Sequence, residues 1–186
     1  MREAGINFEV IISGAIEHDG SGNSVAETVV INAREKAESV AAGPKGPVVI
    51  GADTLVVHDG VIIGKPCDEK AARELLDKFT GTDVEVYTGL CVIDTETGKR
   101  AEGSERSDIQ VASVSQEEAD RFFALMSPYD KAGGFSIEGV GSLLFDDIRG
   151  SYFNILGLPM MKLRELFKKI DLELLDFISN NRRESP

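Results

Sequence analysis

The pattern of apolar and polar positions along the chain predicts an alternation of strands and helices. Apolar residues alternate over residues 8–12, which indicates a strand, and a polar, glycine-rich loop follows. Apolar residues then recur at helical spacing over residues 24–42, until Gly43-Pro44 interrupts the pattern. A second stripe of the same spacing covers residues 68–79. Such an alternation is typical of an α/β domain.

The segment between the two predicted helices begins with a short buried strand. Residues 48–50 are β-branched, and the run ends at Gly51. Asp53 and Thr54 follow directly, so we expect the strand to present an acid and a hydroxyl at its tip. The end of a strand is the usual place for chemistry in an α/β sheet.

A predicted hairpin follows that strand. Residues 55–57 and 61–63 are apolar and flank Asp59-Gly60, a dipeptide that favours a tight turn. We expect the hairpin to fold Lys65 back toward Asp53. A carboxylate that faces a lysine suits the binding of a metal-bound phosphate ester.

The second half of the chain continues the same pattern. Residues 84–93 alternate as a half-exposed strand, and a turn leads into a partner strand that runs to about residue 114. Ser115 and Glu118 have the spacing of a capping box, which predicts a helix that ends near residue 126. The remaining predicted elements are short strands near residues 136 and 143, a helix after Pro159, a last helix over residues 171–179 and a disordered tail over residues 180–186.

Composition indicates one ordinary globular domain. The chain has 186 residues, of which 42% are hydrophobic and 28% charged, and no repeat or linker divides it. We therefore predict a single domain over residues 1–179 with a mixed central β-sheet flanked by helices. The apolar runs are too short to span a bilayer and no secretion leader is evident, so we expect a cytoplasmic protein without a membrane partner.

The net charge of −12 excludes one class of partner. Nucleic acids are bound through lysine and arginine contacts to phosphates, so an acidic chain of this kind is not expected to bind them. An anionic small molecule stays compatible with the sequence only if a few lysines and a divalent cation reverse the field inside one cleft.

Several short motifs together resemble the Maf (septum-formation-inhibitor) family of nucleoside triphosphate pyrophosphatases. They occur in the family's order and spacing, and the similarity runs from about residue 4 to about residue 167. The matching segments are Ala33-Arg34-Glu35-Lys36-Ala37, Gly51-Ala52-Asp53-Thr54, Gly64-Lys65-Pro66, Thr88-Gly89, Asp130-Lys131-Ala132-Gly133, Ile137-Glu138-Gly139 and Gly157-Leu158-Pro159.

The resemblance implies an activity and a fold. It implies a Maf/ITPase-like fold and the hydrolysis of pyrimidine or noncanonical nucleoside triphosphates to monophosphate and pyrophosphate. It further implies dependence on Mg²⁺ or Mn²⁺, nucleoside triphosphates as the partners, and a possible homodimer.

The resemblance also assigns roles to seven residues. Asp53 would be the catalytic carboxylate and, with Glu17, a metal ligand. The residues expected to bind substrate are Lys36, Lys65 and Lys131 at the phosphates, with Thr54 and Glu138 at the base. Many pyrimidine-specific relatives have glutamine where this chain has Glu138; a carboxylate only accepts hydrogen bonds and suits a base edge that donates.

Alternatives from the residues themselves stay open. Asp53 could close a turn through its side chain, Lys36 could extend along an apolar face toward solvent, Lys65 could be a solvated turn lysine, and Glu138 could pair with Lys131. The chain has neither a GxxxxGK[ST] loop nor a GxSxG motif, which argues against a P-loop NTPase and a serine hydrolase.

The beginning of the chain departs from the family pattern. The family's first strand and Ser-x-Ser-Pro-Arg-Arg loop precede the segment at which this sequence starts, Met1-Arg2-Glu3-Ala4-Gly5-Ile6. We expect a start codon assigned too late, with a truncated form as the alternative. A truncated form would be a nucleotide-binding or cell-division regulatory protein with weak or no hydrolysis. A phosphatase or sugar-nucleotide hydrolase is a further alternative.

Overall fold

A five-stranded antiparallel β-sheet forms the centre of the molecule. The computed structural model describes residues 1–43, 47–125, 134 and 136–178. The strands stand in the order β2-β1-β3-β4-β5. Their bounds are β1 Val48–His58, β2 Val61–Ile63, β3 Asp83–Asp94, β4 Arg100–Val111 and β5 Phe145–Arg149.

Helices flank this sheet. The α-helices are α1 Val25–Ala41, α2 Glu69–Phe79, α3 Gln116–Leu125, α4 Tyr152–Ile155 and α5 Met160–Lys169. Short 3₁₀ turns cover Arg2–Ala4, Gly139–Leu144 and Leu174–Phe177. No helix in the described part of the chain combines the length and the apolar character that crossing a bilayer requires.

Side-chain caps define where the main helices begin. Ser24 and Glu27 form a reciprocal capping box at the start of α1. Ser115 and Glu118 form the same arrangement before α3, as the sequence predicts. The carboxylate of Asp68 accepts the backbone N–H of the third residue after it and so caps α2.

Helix α1 lies unusually close to the sheet because two strand residues have no side chain. A Cβ at Gly51 would come within 2.0 Å of the Ala33 carbonyl oxygen, and one at Gly89 within 2.1 Å of the Val29 carbonyl oxygen. Ala37 packs beside Gly51 and is buried. Backbone therefore packs against backbone, which fixes the position of α1 over β1 and β3.

The opposite face of the sheet packs against α5. Leu90 and Val92 of β3 join Leu163, Leu166 and Phe167 of α5 in a fully buried apolar cluster. A second apolar cluster, formed by β1, β3, β4 and the end of α2, lies farther along the same sheet. This second cluster supplies one wall of the cavity described below.

The predicted α/β domain with a central sheet and flanking helices is confirmed. Helices α1, α2, α3 and α5 lie where their patterns predict them. The hairpin is confirmed too: Asp59 and Gly60 both have positive φ, as a two-residue turn of this type requires.

The expectation of a mixed sheet was wrong for the described strands, all of which pair in antiparallel fashion. The β1–β2 hairpin reverses the chain before α2 begins. The strand that follows α2 therefore runs antiparallel to β1.

The predicted strand over residues 8–12 does not form. The segment is extended coil in which Val10 is 75% exposed and Ile12 94% exposed. Alternating apolar residues need a neighbouring strand to complete their backbone hydrogen bonds. Among the described residues, this segment has no such neighbour; the only nearby pairing is the isolated bridge between Ile6 and Ile178.

The C-terminal predictions were also partly wrong. Residue 136 lies in coil, and Leu143 lies in the 3₁₀ turn Gly139–Leu144, so that the strand begins only at Phe145. Up to residue 178, the predicted helix over residues 171–179 is reduced to the turn Leu174–Phe177. Asp171, with a φ of 61°, separates this turn from α5. The predicted tail over residues 180–186 lies outside the described residues.

Candidate active site

A cavity of about 370 Å³ lies beside strand β1. Its polar part is lined by Glu17, Lys36, Asp53 and Lys65. Its apolar part lies against the second apolar cluster and is lined by Val56, Val84, Val86, Ile109, Phe145, Ile155 and Leu156, among others. This volume lies within the range of small-molecule sites. A mostly apolar lining with a few convergent polar groups is also typical of such sites.

The cavity reaches both faces of the sheet at the open edge of β1. Strand β2 pairs only with residues 56–58, so among the described residues nothing pairs with the preceding part of β1 on that side. Neighbouring strand residues point to opposite faces. Asp53 thus faces α1 and Thr54 faces α4, and both line the same cavity.

Asp53 lies inside a strand and is almost completely buried. It is paired with Gly89 across the ladder and is 6% exposed. The prediction that Asp53 stands at a strand tip was therefore wrong. Gly51 does not end the strand; its missing side chain makes room for α1, and β1 continues through both residues.

Two side chains of α1 hold the Asp53 carboxylate. Lys36 Nζ donates to Asp53 Oδ1 at 2.6 Å, and Asn32 Nδ2 donates to Asp53 Oδ2 at 2.9 Å. The two donors are four residues apart and so lie on the same helix face. The capped, closely packed helix α1 thus fixes both oxygens of one acid.

Lys36 also contacts a second carboxylate. Its Nζ lies 2.7 Å from Glu17 Oε1, so the ammonium bridges Glu17 and Asp53. Burial by itself would lower the pKa of Lys36, but the hydrogen bonds to Asp53 and Glu17 outweigh burial and raise that pKa above its ordinary value. Lys36 is therefore a stable cation at neutral pH.

Asn32 is a site residue that the sequence predictions missed. Its Oδ1 accepts the backbone N–H of His18 at 2.8 Å, and its Nδ2 also contacts the His18 carbonyl at 3.2 Å. Asn32 therefore ties the loop that carries Glu17 to the strand that carries Asp53. The signal available in the sequence was an asparagine at helical spacing from Lys36, on a helix face that also carries small apolar residues.

Thr54 belongs to a buried polar network on the other face. Its hydroxyl lies 2.9 Å from the hydroxyl of Thr88, and Thr88 Oγ1 donates to the Asn154 carbonyl at 3.0 Å. Asn154 Nδ2 donates to the Val86 carbonyl and to Ser107 Oγ, both at 3.0 Å. The network joins β1, β3 and β4 to α4, whose residue Ile155 lines the cavity.

Comparison with known proteins gives the same family as the motifs. The profile of the family described as Maf-like protein matches residues 1–170. The chain belongs to the Maf-like protein family. Curated relatives named dTTP/UTP pyrophosphatase include one from Dictyoglomus thermophilum, which is 40% identical over 94% of this chain and 91% of its own length. Others are from Caldicellulosiruptor bescii, 37% identical over 94% and 90%, and Bacillus cereus, 35% identical over 92% and 88%.

The other predicted site residues of this Maf-like protein lie in different places. Lys65 follows β2 and lines the cavity together with Asp53 and Lys36, as the hairpin predicts. Glu138 is exposed and is not among the residues that line the cavity, although its neighbour Ile137 is. Lys131 lies outside the described residues. The roles of Glu138 and Lys131 stay predictions.

The donor set at the polar end fits a divalent cation. Glu17 and Asp53 supply carboxylate oxygens close enough to share one ammonium. Mg²⁺ commonly binds one or two carboxylates and completes its coordination with water and substrate phosphates. Within the described ranges, no group of three or more His, Cys, Asp or Glu side chains forms a ready-made metal cage.

Proposed function

We propose that this protein hydrolyses nucleoside triphosphates, above all dTTP and UTP, to the monophosphate and pyrophosphate. The observation that carries the proposal is the buried Asp53, held by Lys36 and Asn32 inside a cavity that Lys65 also lines. The names of the relatives support the choice of reaction and of pyrimidine nucleotides. We extend the proposal to noncanonical nucleotides of similar shape.

The cavity suits a substrate with one charged and one flat end. In the proposal, the triphosphate lies at the end of Lys36 and Lys65, and the base lies against the apolar wall. Water attacks the α-phosphorus, the bond from that phosphorus to the bridging oxygen breaks, and pyrophosphate leaves with the electron pair. Asp53 orients the attacking water and accepts its proton.

The lysines act by charge and position. Lys36 and Lys65 spread positive charge over the phosphates as negative charge builds up on the leaving group. Lys36 is well placed for this role because two acids and a rigid helix fix its ammonium. Lys131 joins them in the proposal as a further cation.

Charge balance supports a divalent cation as cofactor. Among the described residues that line the cavity, two lysines face two carboxylates, so their charges cancel. A triphosphate needs more positive charge than this lining offers. In the proposal, Glu17 and Asp53 hold Mg²⁺ or Mn²⁺, which when bound neutralises phosphate oxygens.

The test is product analysis with a panel of nucleotides and Mg²⁺. The wild-type protein should release pyrophosphate, without phosphate, from UTP and dTTP. Asp53→Asn should lower the rate by about 10³-fold while the thermal unfolding curve stays cooperative, because an amide does not accept the proton. Asp59→Asn is the matched control: its side chain, in the hairpin turn, is 89% exposed, and the rate should not change.

Other outcomes discriminate among the alternatives. Release of phosphate alone would indicate a phosphatase. Binding of nucleotide without release of either product would indicate a nucleotide-binding regulatory protein. Full activity of Asp53→Asn would show that the catalytic assignment is wrong.

A further inference from the structure

The Lys36 ammonium lies where a cation shared by Glu17 and Asp53 would have to bind. Its Nζ lies 2.7 Å from Glu17 Oε1 and 2.6 Å from Asp53 Oδ1, so one nitrogen joins the two acids. A Mg²⁺ ion bound to the same two oxygens would approach each of them to about 2.1 Å. It would then stand within a few ångströms of a like charge, where repulsion is strong. The ammonium and a divalent cation are therefore rivals for the same pair of oxygens.

The second oxygen of Asp53 is already engaged by the fold. Oδ2 accepts a hydrogen bond from Asn32 Nδ2 at 2.9 Å, and the same amide is bonded to the His18 backbone. The Asp53 carboxylate cannot turn to offer a different oxygen without breaking these hydrogen bonds. A cation that joins Asp53 to Glu17 therefore meets Oδ1, the oxygen that Lys36 holds.

Lys36 can leave the two acids when another anion receives its charge. Its side chain is 21% exposed and carries the ammonium on a flexible four-carbon stem, so the charge can move within the cavity. Among the described residues that line the cavity, Glu17 and Asp53 are the only carboxylates. Moving the ammonium away from both would leave a partly buried charge without a partner, which is costly. A polyphosphate bound in the cavity offers oxygens that can replace the two acids.

We propose that Lys36 competes with the divalent cation for Glu17 and Asp53, and that a polyphosphate ends this competition by binding the ammonium. The cation and the polyphosphate then raise each other's affinity, as linkage between two coupled sites requires. Without a polyphosphate, the protein holds a divalent cation weakly. The inference rests on the proposed function in one respect, because it takes Glu17 and Asp53 as the cation ligands.

The experiment measures Mn²⁺ binding without nucleotide, from the electron paramagnetic resonance signal of the free ion. Lys36→Met replaces the ammonium by an uncharged group of similar length and should lower the dissociation constant for Mn²⁺ about tenfold, because a unit charge close to a divalent ion is removed. Lys36→Arg keeps the charge and should bind Mn²⁺ as weakly as the wild type. Lys36→Gln, which is uncharged but still donates hydrogen bonds, replaces Lys36→Met if the methionine variant does not fold.

Two control variants locate the effect. Lys65→Met removes another lysine of the same cavity, one that is not within ion-pair distance of Glu17 or Asp53 in the described structure. It should change the Mn²⁺ affinity by less than about threefold, because an exposed charge is screened. Adding Asp53→Asn to Lys36→Met removes a cation ligand, and the gained affinity should be lost.

A nucleotide analogue tests the role of the polyphosphate. The compound α,β-imido-UTP has a nitrogen bridge at the bond that the proposed reaction breaks, so it binds without turnover. In calorimetric titrations, Mn²⁺ should strengthen binding of this analogue about tenfold more in the wild type than in Lys36→Met, because only the wild type has an ammonium to move.

The outcomes distinguish this inference from the proposed function. If Lys36→Met binds Mn²⁺ no more tightly than the wild type, if Lys65→Met gains as much, or if the gain survives Asp53→Asn, Lys36 does not compete for these acids and the inference is overturned. Equal strengthening of analogue binding in both proteins would overturn the part assigned to the polyphosphate. A wild type that passes these binding tests but releases no pyrophosphate from any nucleotide would refute the proposed function and leave the competition standing.

Discussion

At the scale of single residues, Asn32 shows how one amide can organise an acidic site. Its Nδ2 group donates to Asp53 and its Oδ1 accepts from the His18 backbone. Only an amide side chain offers a donor and an acceptor in this geometry. A carboxylate at the same position would place two like charges about a hydrogen-bond length apart, and an alanine would leave buried polar groups without partners.

This argument predicts a large effect from an isosteric change. Asn32→Asp should destabilise the protein by about 3 kcal/mol, since it puts a second carboxylate against a buried one. It should also lower UTP hydrolysis, because the bond that orients Asp53 becomes a repulsion. Urea unfolding and pyrophosphate release measure the two effects.

A matched control for this change is available in the neighbouring loop. Asn23→Asp makes the same change at an exposed residue before α1, and both stability and activity should stay close to those of the wild type. Wild-type stability in Asn32→Asp would contradict the role given to the amide.

At the scale of elements, helix α1 is the part on which the site depends. It carries both groups that hold Asp53, and its distance from the sheet is set by Gly51 and Gly89. Val49, Gly51 and Asp53 are every second residue of β1, so all three face the helix together. The same face of one strand therefore sets the helix position and presents the acid.

A methyl group at the contact between Gly51 and Ala33 should move helix α1 away from Asp53. Gly51→Ala places a Cβ 2.0 Å from the Ala33 carbonyl oxygen, a clash that only movement of α1 can relieve. We expect a loss of stability of about 3 kcal/mol and a loss of activity, because Lys36 and Asn32 move with the helix. Thermal unfolding and UTP hydrolysis test both effects.

The control for this variant is a glycine with ordinary space around it. A Cβ at Gly103 in β4 would lie 3.7 Å from the side chains of Leu166 and Lys162, a normal contact distance. Gly103→Ala should therefore be neutral within about 0.5 kcal/mol. Equal effects of the two substitutions would show that the close approach of α1 is not what Gly51 provides.

Local signals in the sequence were sufficient for the elements that depend on local interactions. The capping box at Ser115, the hairpin turn and the helical stripes each involve residues within a few positions of one another. The position of Gly51 was misinterpreted as a strand end because its role depends on a helix that precedes it in the chain. The segment 8–12 was misassigned because alternation predicts a strand only where a partner strand exists.

The candidate site was predictable in part for the same reason. Asp53, Lys36 and Lys65 come together as the motifs imply, since helix α1 and the β1–β2 hairpin lie where the pattern predicts them. Asn32 and the network of Thr88 and Asn154 were missed. Their importance comes from contacts 14 to 68 residues apart in the sequence, which no local pattern reveals.

At the scale of the whole molecule, the charge distribution fits an anionic substrate that arrives with a cation. The chain carries a net charge of −12, and the described lining of the cavity is balanced rather than positive. A free triphosphate would meet repulsion at a distance and no net attraction from the described lining of the cavity. A nucleotide complexed with a divalent cation carries less negative charge and brings part of the required positive charge with it.

The two cysteines offer a way to connect binding with the stability of the whole fold. Cys91 lies in the middle of β3, is fully buried against Ala33, Ala37 and Val49, and burial raises the pKa of its thiol to about 12. Cys67 is exposed. A thiol reagent can reach Cys91 only when α1 leaves the sheet, and the same opening removes Lys36 and Asn32 from Asp53.

Nucleotide binding should therefore protect Cys91 from modification. In a Cys67→Ser variant, UMP with Mg²⁺ at a hundred times its dissociation constant should slow labelling about a hundredfold, because only the closed form binds. In denaturant the thiol should react at once, with or without UMP. Calorimetry would show separately whether UMP binds. If UMP binds but the labelling rate is unchanged, helix α1 can open without dismantling the site, and α1 does not hold the nucleotide-binding groups in place.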